Sequence, residues 1–131
     1  MSRPKGKSVV TSRWLYKTKY VADGNIEKQK ARSVARGFSQ IEGADYDETF
    51  ALVARYTYIQ RIIDIAIEMG WRIHQMDVKT AFLNGFIEEE VYIEQPQGFK
   101  VLERESHVCL MRKALYGLKQ APRAWYSRIE A

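Results

Sequence analysis

The 131-residue chain has one cysteine, two histidines, three prolines and no apolar run long enough to cross a bilayer. A lone Cys109 excludes an intramolecular disulfide and any cysteine-rich zinc cluster. His107 adds only a second ligand, and two ligands cannot close a zinc shell, so the pair reads as ordinary strand residues. Without ~18 consecutive apolar residues no membrane-spanning helix is expected, and the basic N-terminal stretch lacks the apolar segment of a secretory signal. The expectation is an intracellular, non-secreted chain with no membrane partner, cytoplasmic or nuclear being left open.

What is present is the composition of a folded domain. Apolar residues make up 46% and charged residues 28% of the sequence, and a chain of this length suits one folding unit, residues 1–131. Lys and Arg number 21 against 16 Asp and Glu, for a net charge of +5. Such a surplus favours polyanionic partners when it gathers on one face, but an ordinary basic enzyme surface shows it too.

Periodicity divides the chain into elements. Arg13 to Tyr20 and Ile26 to Arg36, joined across Asp23-Gly24, predict a two-stranded hairpin. From Gly37 to Arg55 no period persists, and a long loop is expected, with Phe38, Tyr46 and Phe50 packed inward. Ile59, Ile62, Ile63, Ala66 and Ile67 form one apolar stripe, predicting a helix from Tyr58 to Met69. Thr57 with Gln60 is expected to cap its start and Gly70 its end. Trp71 to Val78, Val91 to Glu94 and Val108 to Met111 read as short strands, and Ala121 to Ala131 as a helix with Pro122 in its first turn.

Asp77 sits where the first of these short strands would end, a place that suits either a hard oxygen ligand for Mg²⁺ or a residue that merely caps the next turn. A resemblance narrows this choice. His74-Gln75-Met76-Asp77-Val78-Lys79-Thr80-Ala81-Phe82-Leu83-Asn84-Gly85 resembles the motif that bears the first catalytic aspartate of Ty1/copia-type retrotransposon reverse transcriptases. Leu115-Tyr116-Gly117-Leu118-Lys119-Gln120-Ala121-Pro122-Arg123-Ala124-Trp125 resembles that family's next motif. Lys30-Ala31-Arg32 with Val34-Ala35-Arg36-Gly37-Phe38 resembles its fingers segment. The three stand in the family's order, and Pro4 to Lys7 and Trp14 to Lys17 extend the likeness over nearly the entire chain.

The resemblance implies an α+β, partial right-hand polymerase fold containing the fingers and part of the palm. It implies RNA-directed DNA synthesis with Mg²⁺, deoxynucleoside triphosphates, an RNA template and a DNA primer. Asp77 would be the catalytic, metal-holding carboxylate, with the backbone of Val78 beside the phosphates. Arg32, and less directly Lys30, would meet the triphosphate, which suits a planar cation able to bridge phosphate oxygens. Phe82 would lie under the sugar and exclude a ribose hydroxyl. Tyr116 and Gly117 would line the nucleotide side, and Lys119 would add charge. Each has a bland reading as well: solvated strand-edge cations for Lys30 and Arg32, core filling for Phe82, a turn for Gly117.

Ser33, Leu52 and Phe86 depart from the family's usual Leu, Pro and acidic residue, and none of them is a presumed ligand. The family's Tyr-x-Asp-Asp hairpin, which supplies the other two catalytic aspartates, and the thumb are absent from the sequence. The domain is therefore expected to be incomplete at its C-terminus and inactive alone, although the family is one of RNA-directed DNA polymerases. The rival readings are a non-enzymatic, basic nucleic-acid-binding fragment and an untranslated relic.

Overall fold

A computed structural model describes residues 1–131 as a mixed α and β chain. In order, the elements are β1 (Val9–Val10), β2 (Ser12–Tyr20), β3 (Ile26–Ala35), α1 (Tyr56–Glu68), β4 (Tyr92–Glu94), β5 (Val108–Leu110) and α2 (Ala121–Glu130). Single 3-10 turns occur at Gly37–Ser39 and Ala81–Asn84.

The hairpin forms as expected. β2 and β3 pair antiparallel from Ser12 opposite Ala35 to Lys19 opposite Lys28, with an irregularity before Tyr20. Gly24 takes φ 86° in the turn, a conformation open to glycine without a Cβ clash. A second sheet has the order β1-β4-β5, with β1 parallel and β5 antiparallel to β4. The two-residue β1 was not legible in the sequence, because so short a strand carries no period.

The two sheets and α2 meet at one small core. Val10 and Ile93 come from the three-stranded sheet, Val91 from the position just before β4, Ala35 from the base of the hairpin, Ala114 and Leu118 from the segment that enters α2, and Ala121 from the start of α2. Phe82 and Leu115 pack on its rim. The long loop is tied to this core mainly by amides: of the three aromatics expected to pack, Tyr46 is half-buried while Phe38 and Phe50 are 80% and 67% exposed. Gln120, 1% exposed, accepts a hydrogen bond from Gln40 Nε2 at 3.0 Å and donates one to the Asp45 carbonyl at 3.2 Å. Gln40 Oε1 in turn accepts from the Lys119 amide at 2.9 Å, and Asp45 Oδ2 from the Ile41 amide at 2.9 Å. Each of these buried polar groups is thereby satisfied, which is what allows them inside.

Two expectations fail around α1. The helix begins at Tyr56 with Arg55 in the capping position, and no side chain caps it. Thr57 falls inside the first turn, and the Arg55 carbonyl accepts from the amides of Tyr58 and Ile59. The C-terminal end is as expected: Gly70 has φ 66°, and the amides of Gly70 and Trp71 return to Ile67 and Ala66, the paired bonds of a Schellman cap. The apolar stripe finds no cover, with Ile62 62% and Ile67 73% exposed and Ala66 the one buried residue.

The strand expected over Trp71 to Val78 does not form, and residues 71–78 have no regular structure. A strand needs a neighbour for its amides and carbonyls, and none lies beside this segment. Alternation in sequence marks which residues could share a face but cannot supply that neighbour.

Candidate nucleotide site

Three segments distant in sequence converge at the open edge of β3. β3 presents Arg32, the 3-10 turn at Ala81–Asn84 presents Phe82, and the segment ahead of α2 presents Tyr116. The backbone sets their spacing, since the Ala35 amide donates to the Tyr116 carbonyl at 2.7 Å. The Phe82 and Tyr116 rings lie 5.0 Å apart, inclined by 60°. Arg32 Cζ sits 5.5 Å from the centroid of the Tyr116 ring, within cation–π range.

Beside this trio opens a cleft of about 290 Å³, lined by Trp14, Ala31, Arg32, Ser33, Thr80, Leu83, Leu115 and Tyr116. Its chemistry is mixed, with apolar and aromatic walls, one guanidinium and three hydroxyl-bearing residues, Ser33, Thr80 and Tyr116. A planar base or sugar could rest on such walls while an anion meets Arg32. Thr80 holds φ 54°, the left-handed region that a β-branched residue rarely occupies. Its carbonyl accepts from Asn84 Nδ2 at 3.3 Å, which helps hold the turn.

Tight backbone approach underlies the cleft. Gly117 has φ 92°, and a Cβ there would collide with the Ala35 carbonyl oxygen and with Val34 Cγ1. The close approach expected at Gly117 is thus an approach of the chain to its own β3.

The remaining candidates lie apart from the cleft. Lys30 lines a different groove further out on the hairpin, opposite Lys17. Lys119 is exposed, and its backbone amide is engaged by Gln40. Asp77 and Val78 are exposed on the irregular segment that leads to Thr80 and Phe82. Thr80, Trp14, Leu83 and Leu115 line the cleft, although the sequence does not mark them as candidates. All four lie within the motif words, but nothing in the sequence announces a threonine at positive φ.

No three His, Cys, Asp or Glu side chains come together as a metal cage. Two-ion phosphoryl transfer needs several converging carboxylates, so the residues of this chain do not by themselves fit such a centre. The acidic residues that do gather, Asp47, Glu48, Glu88 and Glu89, surround Arg123, which approaches Glu48 at 3.7 Å. They form a charged surface groove that shares no residue with the Arg32 cleft and does not include Asp77.

Comparison with known proteins decides the family. The profile described as reverse transcriptase (RNA-dependent DNA polymerase) matches residues 1–131. The chain belongs to that family. It is 47% identical over 123 residues, 94% of its length, to a retrovirus-related Pol polyprotein from transposon RE1 of Arabidopsis thaliana. It is 45% identical over 128 residues, 98% of its length, to the corresponding polyprotein from transposon TNT 1-94 of Nicotiana tabacum. These stretches are 8% and 10% of the two relatives, so the chain spans no more than a tenth of the length of either. No solved structure matches it. The chain is thus a reverse-transcriptase region of a copia-type retrotransposon Pol polyprotein, as the three ordered motifs implied. No helix in it is long and apolar enough to cross a membrane.

Proposed function

We propose that the cleft beside Arg32 and Tyr116 seats the incoming deoxynucleoside triphosphate of an RNA-directed DNA polymerase. In this reading the β2–β3 hairpin is a fingers element, and α1 with the Asp77 segment belongs to a palm, in a partial right-hand arrangement. RNA template and DNA primer are the other substrates. The observation that carries the reading is the convergence of Arg32, Phe82 and Tyr116 from three separate motif words.

The roles follow from side-chain chemistry. Arg32 meets the phosphates through its planar fork of donors. Tyr116 offers an aromatic face, and Phe82, held against the Tyr116 ring and the core rim, supplies the bulk that a ribose hydroxyl would strike. Asp77 is the carboxylate this chain would contribute to a divalent-metal centre, Mg²⁺ in the family reading, once further carboxylates of a longer protein join it. Lys30, Val78, Gly117 and Lys119 act around this seat rather than in it. The domain is proposed to be one part of a larger catalytic unit and inactive in isolation.

A nucleotide titration tests the seat directly. With the 131-residue chain at low salt, dTTP is expected to shift the amide NMR signals of Arg32, Ser33, Thr80, Leu83 and Tyr116. Arg32→Ala should weaken binding roughly tenfold to a hundredfold, the worth of a charge-assisted hydrogen bond to phosphate. Shifts confined to residues outside the cleft, or equal affinity in Arg32→Ala, would contradict the assignment.

A further inference from the structure

The connection between β4 and β5, residues 95–107, is irregular but fixed from within. Gln95 Nε2 donates to the carbonyls of Arg104 and His107 at 2.6 and 3.0 Å, and its Oε1 accepts from the Val101 amide at 3.0 Å. The connection opens with a tight turn in which the Phe99 amide donates to the Pro96 carbonyl at 3.0 Å and Gly98 holds φ 86°. Positive φ at the third position alone marks a type II turn. Its central peptide is flipped relative to the commoner type I, so the Gln97 carbonyl stands on the opposite side of the turn from where type I would put it.

That carbonyl accepts the Trp14 indole N–H at 3.0 Å, from 83 residues away. The Phe99 ring packs against the Trp14 ring at 5.7 Å and 43°, and Tyr16 stacks on it at 6.5 Å and 22°. Trp14 is also a wall of the Arg32 cleft. It lies directly opposite Ser33, another wall residue, so the two share one face of the hairpin with Ala31. Two backbone carbonyls therefore set how the hairpin leans: that of Tyr116 at its base, which accepts from Ala35, and that of Gln97 further out. No other hydrogen bond joins β2 or β3 to the rest of the chain.

We infer that the Pro96–Phe99 turn is a positioning element for the nucleotide cleft. By gripping Trp14 it sets how closely the hairpin approaches the Thr80 and Leu83 side, and so the width of the seat. Gln97, Gly98 and Phe99 do not line the cleft, so they act through Trp14 and touch no nucleotide. A ligand that fits the gripped arrangement strengthens the grip by the same factor as the grip strengthens its binding. The inference rests on the nucleotide reading of the cleft and adds to it the residues that hold its Trp14 wall.

The test follows the Trp14 indole N–H by NMR in the full 131-residue chain. Three indole signals are expected, from Trp14, Trp71 and Trp125, and Trp14→Phe identifies the first by its loss. Hydrogen exchange at that indole reads the grip, and dTTP titration reads the cleft. In the parent, dTTP at about ten times its Kd should slow Trp14 exchange by up to about tenfold, the limit for a ligand that binds the gripped state alone. Phe99→Ala should speed that exchange and weaken dTTP binding roughly threefold to tenfold, the worth of one aromatic pair. Phe99 is 69% exposed, so the urea midpoint should stay close to the parent's. Phe99→Tyr keeps the ring and should restore both readouts. Gly98→Ala meets nothing within 4 Å of its added Cβ, but disfavours the positive φ that aims the Gln97 carbonyl, and should act in the same direction as Phe99→Ala. Parent-like exchange and parent-like dTTP affinity in either alanine variant, or Trp14 exchange that ignores bound dTTP, overturns the inference. A parent chain with no dTTP response defeats the nucleotide seat itself, whereas a response that survives unchanged in the variants defeats only the turn's part in it.

Discussion

Asp77→Asn is expected to slow primer extension by roughly a hundredfold to a thousandfold when these 131 residues replace the aligned segment of the tobacco relative's polyprotein. The amide keeps the size of the carboxylate and most of its hydrogen bonding but loses its charge. Asp77 is exposed and in no buried network, so the substitution should cost little or no stability, and the effect will read as chemistry rather than unfolding. Removing one group that stabilises charge developing at a transferred phosphate costs on the order of a hundredfold to a thousandfold in rate. Asp47→Asn, in the acidic groove around Arg123, is the matched control. It removes the same charge from a site with no proposed part in the reaction and should leave the rate within about twofold.

Gly117→Ala should destabilise the chain by about 3 kcal/mol or more, through two separate costs. A non-glycine residue at φ 92° suffers backbone strain of roughly 1–3 kcal/mol. The added Cβ also collides with the Ala35 carbonyl oxygen and Val34 Cγ1, and overpacking of this kind costs roughly another 1–3 kcal/mol. The Ala35 carbonyl is backbone and cannot rotate away as the end of a flexible side chain would. Because the same close approach brings Tyr116 against β3, nucleotide binding should fall together with stability. Urea denaturation compares the variant with the parent, and Gly24→Ala gives the contrast. That glycine also has positive φ, but nothing lies within 4 Å of an added Cβ, so only the strain cost remains.

The parts of the fold that are legible in the sequence are those specified locally. The Asp23-Gly24 turn between two β-rich runs marks the hairpin, and Pro122 marks the start of α2. Gly70 marks the end of α1, because a left-handed cap needs glycine whatever surrounds it. The parts that are not legible depend on a neighbour. Residues 71–78 alternate like a strand, yet no strand lies alongside to pair with them. The stripe of α1 predicts a buried face, but only Ala66 is covered. Thr57 and Gln60 fit a capping pattern, yet the helix starts at Tyr56 and absorbs both.

The candidate site divides in the same way. Motif words name Arg32, Phe82 and Tyr116, and the fold brings those three together. The words cannot separate Arg32 from Lys30, since both lie on one strand two residues apart. Only the pairing of β2 with β3 shows that Lys30 faces Lys17 in a different groove. The Gln40–Gln120–Asp45 amides are invisible in the sequence for a related reason: a polar residue is exposed by default, and only a partner contributed from about eighty residues away makes it a buried strut. Trp14 belongs to a motif word, but its place in the cleft wall depends on how the hairpin leans on the segment ahead of α2.

The most direct measurement is nucleotide discrimination by Phe82. In the same chimaeric polyprotein, primer extension is followed with dTTP and with UTP, for the parent and for Phe82→Ala. If the cleft beside Arg32, Phe82 and Tyr116 seats the incoming nucleotide, removing the Phe82 ring opens room for a ribose hydroxyl. The preference for dTTP should then fall by roughly tenfold to a hundredfold, mostly through faster use of UTP. An unchanged preference in an otherwise active Phe82→Ala enzyme would contradict the account.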